Sequence, residues 1–162
     1  MAIEVGDRLP EARFRRITPE GVRDLTTADV FAGKRVLLFA VPGAFTPTCS
    51  VQHLPGYAAR AADFRARGID TVACVAVNDA FVLDAWAKAN GVDEGRVVML
   101  ADGSATFTKA IGLDLDANGA GLGTRSKRYA MLVEDGVVTD LKVEEAPSMV
   151  EVSAADAMLA SL

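Results

Sequence analysis

The chain has 162 residues, a net charge of -5 and a hydrophobic fraction of 51%, which predicts a single globular domain spanning residues 1–162. The acidic surplus argues against a nucleic-acid partner, because binding phosphates needs a basic surplus or patch, and no apolar run reaches the roughly 18 residues of a membrane helix. Two cysteines are too few for the disulfide framework of a small secreted domain, so we expect a reducing, cytoplasmic setting with no membrane partner.

Apolar runs of strand length alternate with segments of helical periodicity along the chain. After an N-terminal region with a turn at residues 19–21, the predicted elements are strand 35–41, helix 48–67, strand 71–77, helix 80–90, strand 97–100 and a short helix through residues 107–111. A loop rich in Gly, Asp and Asn runs to residue 124. Strands 129–134 and 137–143 then flank an Asp135-Gly136 turn, and Ser153 caps a final helix. This order predicts an α/β fold with a closing antiparallel hairpin.

The segment PGAFTPTC, residues 42–49, places Cys49 where a buried strand gives way to a helix. Pro47 suits the first turn of that helix, where a missing N–H has the least effect. The unpaired N–H groups and the positive dipole end of a helix start favour an anion, so we expect Cys49 to form a thiolate readily. Thr46, three residues earlier, can direct its hydroxyl to the same point in space.

Each of these residues also has a purely structural interpretation. Cys49 alone could be a buried core thiol, Thr46 a helix cap and Pro42 an ordinary turn proline. His53, the only histidine, lies one helical turn after Cys49. This spacing allows a Cys-His pair but favours a packed or solvated side chain, and no second ligand makes His53 a metal site.

The pattern PxxxTxxC, formed by Pro42, Thr46 and Cys49, resembles the active-site motif of the peroxiredoxins, and PGAFTPTCSxxHLPG resembles their type II, peroxiredoxin-5-like group. Further blocks agree in order and spacing: VAVNDAFV at 75–82, LAD at 100–102, RSKRYAM at 125–131 and EDG at 134–136. The resemblance implies a thioredoxin-like fold with a central mixed β-sheet, flanking helices and an N-terminal extension. It also implies a homodimer without a bound cofactor or metal. Trp86 and Phe81 are aromatic residues that we expect in the core or at a subunit interface rather than in contact with a cofactor.

The resemblance further implies a thiol peroxidase that reduces hydrogen peroxide and alkyl hydroperoxides. The Cys49 thiolate attacks a peroxide oxygen and becomes a sulfenic acid, the reversible first step of cysteine oxidation. Hydrogen bonds from Thr46, from the N–H groups of the helix start and from Arg128 are expected to stabilise the leaving oxygen. Pro42 is expected to shape the pocket and to shield the sulfenic acid.

Arg128 is identified as the family's active-site arginine because it directly precedes the aromatic residue of the Arg-Tyr-Ala-Met block. In the arrangement that the family implies, its strand runs antiparallel to residues 36–41, which brings Arg128 near Cys49. Arg125 is its nearest rival. We otherwise expect Arg125 and Lys127 in a solvated loop.

Cys74 lies in the apolar run 71–77 and is expected to be packed out of solvent. At about 3.3 Å per residue it is roughly 10 Å from the end of its strand, whereas a disulfide needs Cα atoms within about 7 Å. A resolving role for Cys74 therefore requires the helix start to unwind. We expect recycling by an external thiol, glutathione with or without glutaredoxin, and the alternative is a Cys49–Cys74 disulfide reduced by thioredoxin.

Three other classes compete with this interpretation. A thiol-disulfide oxidoreductase normally needs Cys-x-x-Cys at the helix start, and the first of those positions is Thr46 here. A cysteine hydrolase needs a general base, for which His53 is the only histidine candidate. A non-catalytic peroxide sensor or chaperone-like binding protein is compatible with every residue and predicts a slow reaction with peroxide.

Overall fold

The computed structural model describes residues 2–162, and this part of the chain contains nine strands and five α-helices. The strands are β1 (Arg13–Thr18), β2 (Gly21–Thr26), β3 (Arg35–Ala40), β4 (Thr71–Ala76), β5 (Val98–Ala101), β6 (Asp114–Ala117), β7 (Gly123–Ser126), β8 (Tyr129–Glu134) and β9 (Val137–Val143). The helices are α1 (Thr27–Phe31), α2 (Leu54–Ala66), α3 (Ala80–Ala89), α4 (Thr106–Ala110) and α5 (Ala155–Ala160). A π-helical turn, Cys49–His53, leads directly into α2, and a 3₁₀ turn, Asn118–Ala120, joins β6 to β7.

Seven strands form one sheet in the order β2-β1-β5-β4-β3-β8-β9, and β6 pairs separately with β7. Strands β3, β4 and β5 are parallel, and the other neighbours are antiparallel. The almost continuous apolar runs of β3 and β4 fit strands that are covered on both faces. The predicted α/β architecture, a central mixed sheet flanked by helices, is confirmed.

Alternate side chains of β3 belong to two different cores. Leu37 and Phe39 pack in a core with residues of α2, α3 and α5. Val36 and Leu38 pack in a second core with residues of α1 and α4. Because successive side chains of a strand point to opposite faces, this one strand anchors both helical layers.

The pairing of β3 with β8 positions the site. Ala40, the last residue of β3, lies opposite Tyr129, the first residue of β8. The segment that follows β3 and the residue that precedes β8 therefore meet at one edge of the sheet. This antiparallel arrangement is the one expected from the resemblance.

Several local predictions are corrected by the structure. Residues 13–26 form a hairpin that extends the sheet, a pair of strands that the sequence did not indicate because charged side chains dominate it. The glycine-rich loop before residue 124 contains the β6–β7 hairpin. Ser153 does not cap α5, whose N-cap is Ala154; the Ser153 hydroxyl donates to Glu144 instead.

None of the helices in residues 2–162 is long and apolar enough to cross a membrane.

Candidate active site

Cys49 lies in the first helical turn after β3 and has no exposed surface. Residues 47 and 48 are already helical, so its predicted position at the helix start is confirmed. Within residues 2–162, no group accepts a hydrogen bond from the Cys49 N–H. This free donor and the positive end of the helix both favour a negative charge at the site.

The turn between β3 and the helix is held by its own hydrogen bonds. The Thr46 hydroxyl donates its hydrogen to the Gly43 carbonyl over 2.7 Å. It can therefore only accept a hydrogen bond from another group. The predicted donation from Thr46 to a leaving oxygen does not fit this geometry. The backbone N–H of Ala44 donates to Asn78 Oδ1 over 3.0 Å, which connects the turn to the segment that follows β4. Phe45 has a left-handed φ of 62°, rare for an aromatic residue, and Pro42 is half-buried at the start of the turn. These hydrogen bonds therefore hold the backbone of the turn in one conformation.

Arg128 is buried and contacts the sulfur of Cys49, as expected. Its Nη2 donates to Cys49 Sγ over 3.0 Å, its Nη1 to His53 Nδ1 over 2.8 Å, and its Nε to the carbonyl of Pro147 over 3.0 Å. No carboxylate in the described part of the chain forms an ion pair with it. A guanidinium has five N–H donors, so one hydrogen on Nη1 and one on Nη2 are left for another acceptor.

Arg125 occupies a different place from Arg128. It is half-buried rather than solvated, because Nε donates to the Leu122 carbonyl over 2.9 Å and Nη1 to the Val77 carbonyl over 3.2 Å. Its guanidinium lies so close to Gly43 that a Cβ there would be 3.2 Å from Nη1. Arg125 thus supports the turn and does not contact Cys49, whereas Lys127 is exposed as predicted.

His53 is packed inside the protein and forms no hydrogen bond with Cys49. Its Nε2 donates to the carbonyl of Ser153 over 3.0 Å, which leaves Nδ1 without a hydrogen and able to accept from Arg128. Burial, and then the charge of Arg128, lower the pKa of His53 from 6.5 to about 3, and the hydrogen bond to Ser153 and the charge of Glu144 oppose this only in part. The imidazole is therefore neutral at working pH and is not a general base for the thiol.

Cys74 is completely buried in β4, opposite Phe39 of β3, and both cysteines are free thiols. Burial raises the pKa of the Cys74 thiol, and the charge of Cys49 raises it further. A buried, protonated thiol is a poor nucleophile. The structure thus places Cys74 in the packed core that the sequence predicted.

The structure confirms that Arg128 contacts Cys49 and places Pro42 and Thr46 in the turn just before it. The sequence missed what holds Arg128. The backbone of residues 147–153 and the ring of His53 supply these contacts. The helical spacing from Cys49 to His53 was the only signal for them. Residues 2–162 contain no cluster of three His, Cys, Asp or Glu side chains that could hold a metal ion. The site can stabilise a thiolate and offer donors to a small polar molecule.

Comparisons with known proteins agree on one family. The family model described as Redoxin matches residues 4–159. Peroxiredoxin-2E, chloroplastic, from Arabidopsis thaliana is 45% identical over 98% of this chain and 69% of its own length. Reduced Prx3 from Vibrio vulnificus in complex with H₂O₂ is 52% identical, with a TM-score of 0.92 and 98% of each chain covered. Peroxiredoxin 5 from Alvinella pompejana is 37% identical, with a TM-score of 0.84, and covers 98% of this chain and 97% of its own.

The neutral state of His53 predicts a pH dependence of stability. The unfolded chain takes up a proton on His53 below about pH 6.5, while the folded chain does so only near the lowered pKa of about 3. The stabilisation is therefore complete above pH 6.5 and declines as the pH falls towards 3. Between pH 7 and pH 5 the wild type should lose about 2 kcal/mol more unfolding free energy than His53→Asn.

Urea denaturation of both proteins at the two pH values measures this difference, because the contributions of all carboxylates cancel. An identical pH dependence for wild type and His53→Asn would show that His53 is not held neutral by the fold.

Proposed function

The chain belongs to the Redoxin family and is a thiol peroxidase of the peroxiredoxin-5-like group of peroxiredoxins, and we propose that Cys49 is the nucleophile with which it reduces hydrogen peroxide and alkyl hydroperoxides. One observation carries this proposal: the buried guanidinium of Arg128, which has no carboxylate partner in residues 2–162, donates to Cys49 Sγ over 3.0 Å. Burying an uncompensated charge is unfavourable by several kcal/mol. A Cys49 thiolate supplies the missing negative charge.

The first step is a displacement at oxygen. The thiolate attacks the nearer peroxide oxygen, an S–O bond forms, and the O–O bond breaks. The attacked oxygen keeps its hydrogen, and the departing oxygen takes its electron pair and, from solvent, the proton that the Cys49 thiol released on ionising, and leaves as water or an alcohol. Cys49 is then a sulfenic acid, and the peroxide has been reduced by two electrons.

The groups around the sulfur suit this reaction. The remaining hydrogens on Arg128 and the free N–H of Cys49 can donate to the peroxide oxygens as negative charge develops on them. Thr46, whose own hydrogen is bonded to Gly43, can accept the hydrogen of the peroxide and thereby orient it. Losing one preorganised donor of this kind typically lowers a rate about 100- to 1,000-fold.

Two further observations support peroxide as the substrate. The related Prx3 of Vibrio vulnificus was crystallised in complex with H₂O₂. In this chain Cys49 is fully buried, which favours a very small substrate over a bulky one. Pro42, half-buried in the turn before Cys49, is suited to keep water and further oxidant from the sulfenic acid.

For the second half of the cycle we propose an external thiol, glutathione alone or with glutaredoxin. The thiol attacks the Cys49 sulfenic acid, water leaves, and a mixed disulfide forms. A second thiol then releases Cys49 and leaves as a disulfide. Cys74 is less suited to this attack because it is buried and its raised pKa keeps it protonated. Free, buried thiols also suit a reducing compartment, for which we propose the cytoplasm.

A reductant larger than peroxide requires the helix start to open. The turn that carries Cys49 is π-helical, a rare form common at functional sites. The indole N–H of Trp86 donates to the Ser50 hydroxyl over 2.9 Å, next to Cys49. Trp86 is the only tryptophan, so its fluorescence should report opening of this turn. The alternative cycle, a Cys49–Cys74 disulfide reduced by thioredoxin, requires the same opening.

We also propose that the protein is a homodimer, joined through the surface around the turn after β3. Large apolar side chains are exposed on the segments that form this surface: Phe45, Val51, Phe81 and Leu122. Those segments are linked to one another by the bonds from Trp86 to Ser50, from Arg125 to its two carbonyls and from the turn to Asn78. Large exposed apolar side chains on adjoining segments favour a protein partner.

The proposal predicts that peroxide reacts with Cys49 far faster than with an ordinary thiol. Stopped-flow consumption of hydrogen peroxide, followed through Trp86 fluorescence and with a peroxide-specific dye, should be rapid in the wild type. Cys49→Ser should abolish it, because no nucleophile remains at the helix start. Cys74→Ala is the matched control and should keep the rapid phase. Equal peroxide consumption by the wild type and Cys49→Ser would contradict the assignment.

The proposed reductant is tested in steady state. Cys74→Ala should retain repeated turnover with glutathione and glutaredoxin, because Cys74 takes no part in that cycle. Mass spectrometry of the oxidised variant, after one equivalent of peroxide and then glutathione, should find a single glutathione on Cys49. If Cys74→Ala stops after one turnover, Cys74 is the resolving cysteine and the external-thiol cycle is wrong.

A further inference from the structure

A loop near the C-terminus is closed by one carboxylate. Glu144, directly after β9, accepts hydrogen bonds on Oε2 from the Glu151 N–H and the Ser153 N–H, both over 2.8 Å, and from the Ser153 hydroxyl over 2.5 Å. Burial would raise the pKa of Glu144, but the hydrogen bonds from Ser153 and Glu151 hold it below its usual value. We call residues 144–153 the Glu144 loop.

The Glu144 loop presents two backbone carbonyls to the interior. The carbonyl of Pro147 accepts from Nε of Arg128 over 3.0 Å. The carbonyl of Ser153 accepts from the Tyr57 hydroxyl over 2.7 Å and from Nε2 of His53 over 3.0 Å. The loop therefore contacts the guanidinium once directly and once through the imidazole of His53.

The imidazole of His53 can hold Arg128 in one place because its own orientation is fixed. Its ring centroid lies 5.0 Å from that of Phe39 and 5.5 Å from that of Tyr57. Since Nε2 carries the hydrogen that is donated to Ser153, Nδ1 is a bare acceptor and receives Nη1 of Arg128 over 2.8 Å. Apart from Cys49 Sγ, Nδ1 is the only side-chain acceptor of Arg128 in residues 2–162.

We propose that His53 and Glu144 are positioning residues of the peroxidase reaction: Glu144 closes the loop, the loop fixes His53 through Ser153, and His53 holds the guanidinium of Arg128 against the Cys49 sulfur. This inference rests on the proposed role of Cys49. A planar guanidinium held at Nε and Nη1 has only one direction left for Nη2, which is towards the sulfur. Without the contact at Nη1 the group keeps only the bond to Pro147 to orient it towards the sulfur.

A simpler interpretation is that His53 is a core histidine whose two nitrogens happen to be satisfied. That interpretation predicts a loss of stability on substitution but no change in the chemistry of Cys49. Two readouts separate the interpretations: the rate constant with hydrogen peroxide, and the pH at which half of Cys49 is ionised, measured from thiolate absorbance in a Cys74→Ala background. The second readout needs no peroxidase activity.

The primary comparison is His53→Leu with His53→Asn. Leucine fills similar space without an acceptor, whereas the asparagine Oδ1 occupies the place of Nδ1. His53→Leu should lower the peroxide rate constant about 10- to 100-fold, the factor expected for one charge-assisted hydrogen bond, and should move thiolate formation to higher pH. His53→Asn should recover most of both losses. Tyr57→Phe removes the other hydrogen bond to the Ser153 carbonyl and should change the rate less than about twofold.

A second pair tests the loop without touching the imidazole. Glu144→Ala frees Glu151 and Ser153 and should change both readouts in the same direction as His53→Leu, while Glu144→Gln keeps an acceptor and should restore them. Urea denaturation establishes that each variant is folded, and if His53→Leu does not fold, the Glu144 pair decides. Wild-type rate and thiolate titration in folded His53→Leu or Glu144→Ala would overturn the proposal, as would equal losses in His53→Leu and His53→Asn. A failure of the proposed function would instead appear as peroxide consumption by Cys49→Ser.

Discussion

The contact between Arg128 and Cys49 is the interaction on which the rest of the site depends. A guanidinium that is buried without a carboxylate partner is strongly unfavourable unless another anion lies beside it. In this protein the group beside it is the sulfur of Cys49, 3.0 Å from Nη2, which supplies the compensating charge when it is a thiolate. The charge of Arg128 thus favours the thiolate, and the thiolate compensates the charge of Arg128. Burial, and then the charge of Arg128, keep the neighbouring histidine neutral.

The fold brings three separate segments to this contact. The pairing of Ala40 with Tyr129 places the end of β3 and the start of β8 at one sheet edge, which brings the helix start that carries Cys49 close to Arg128. The chain after β9 then returns behind the arginine and supplies the Pro147 carbonyl. The turn after β3 is held by bonds within itself and to the end of β4. A small polar substrate therefore meets groups that are already oriented, which is the condition for electrostatic stabilisation of a transition state.

The sequence predicted the parts of this arrangement that have a local pattern. The apolar runs of β3, β4 and β8 indicated buried strands, and the helix start indicated a stabilised thiolate at Cys49. The hairpin of β1 and β2 was missed because Arg13, Arg15 and Arg16 obscure its alternation. The roles of His53 and of residues 144–153 were also missed, since they depend on the path of a loop across about 100 residues of sequence. Periodicity carries no information about such a contact.

One measurement tests the central contact directly. The rate constant for the reaction of hydrogen peroxide with Arg128→Met, measured by stopped flow in the Cys74→Ala background, isolates the contribution of the guanidinium, because methionine is an uncharged side chain of similar length. Removing one charge-assisted hydrogen bond should lower this rate constant about 10- to 100-fold. A rate constant equal to that of the Arg128 protein would show that the helix start alone activates Cys49, and would contradict the mutual stabilisation of Arg128 and Cys49.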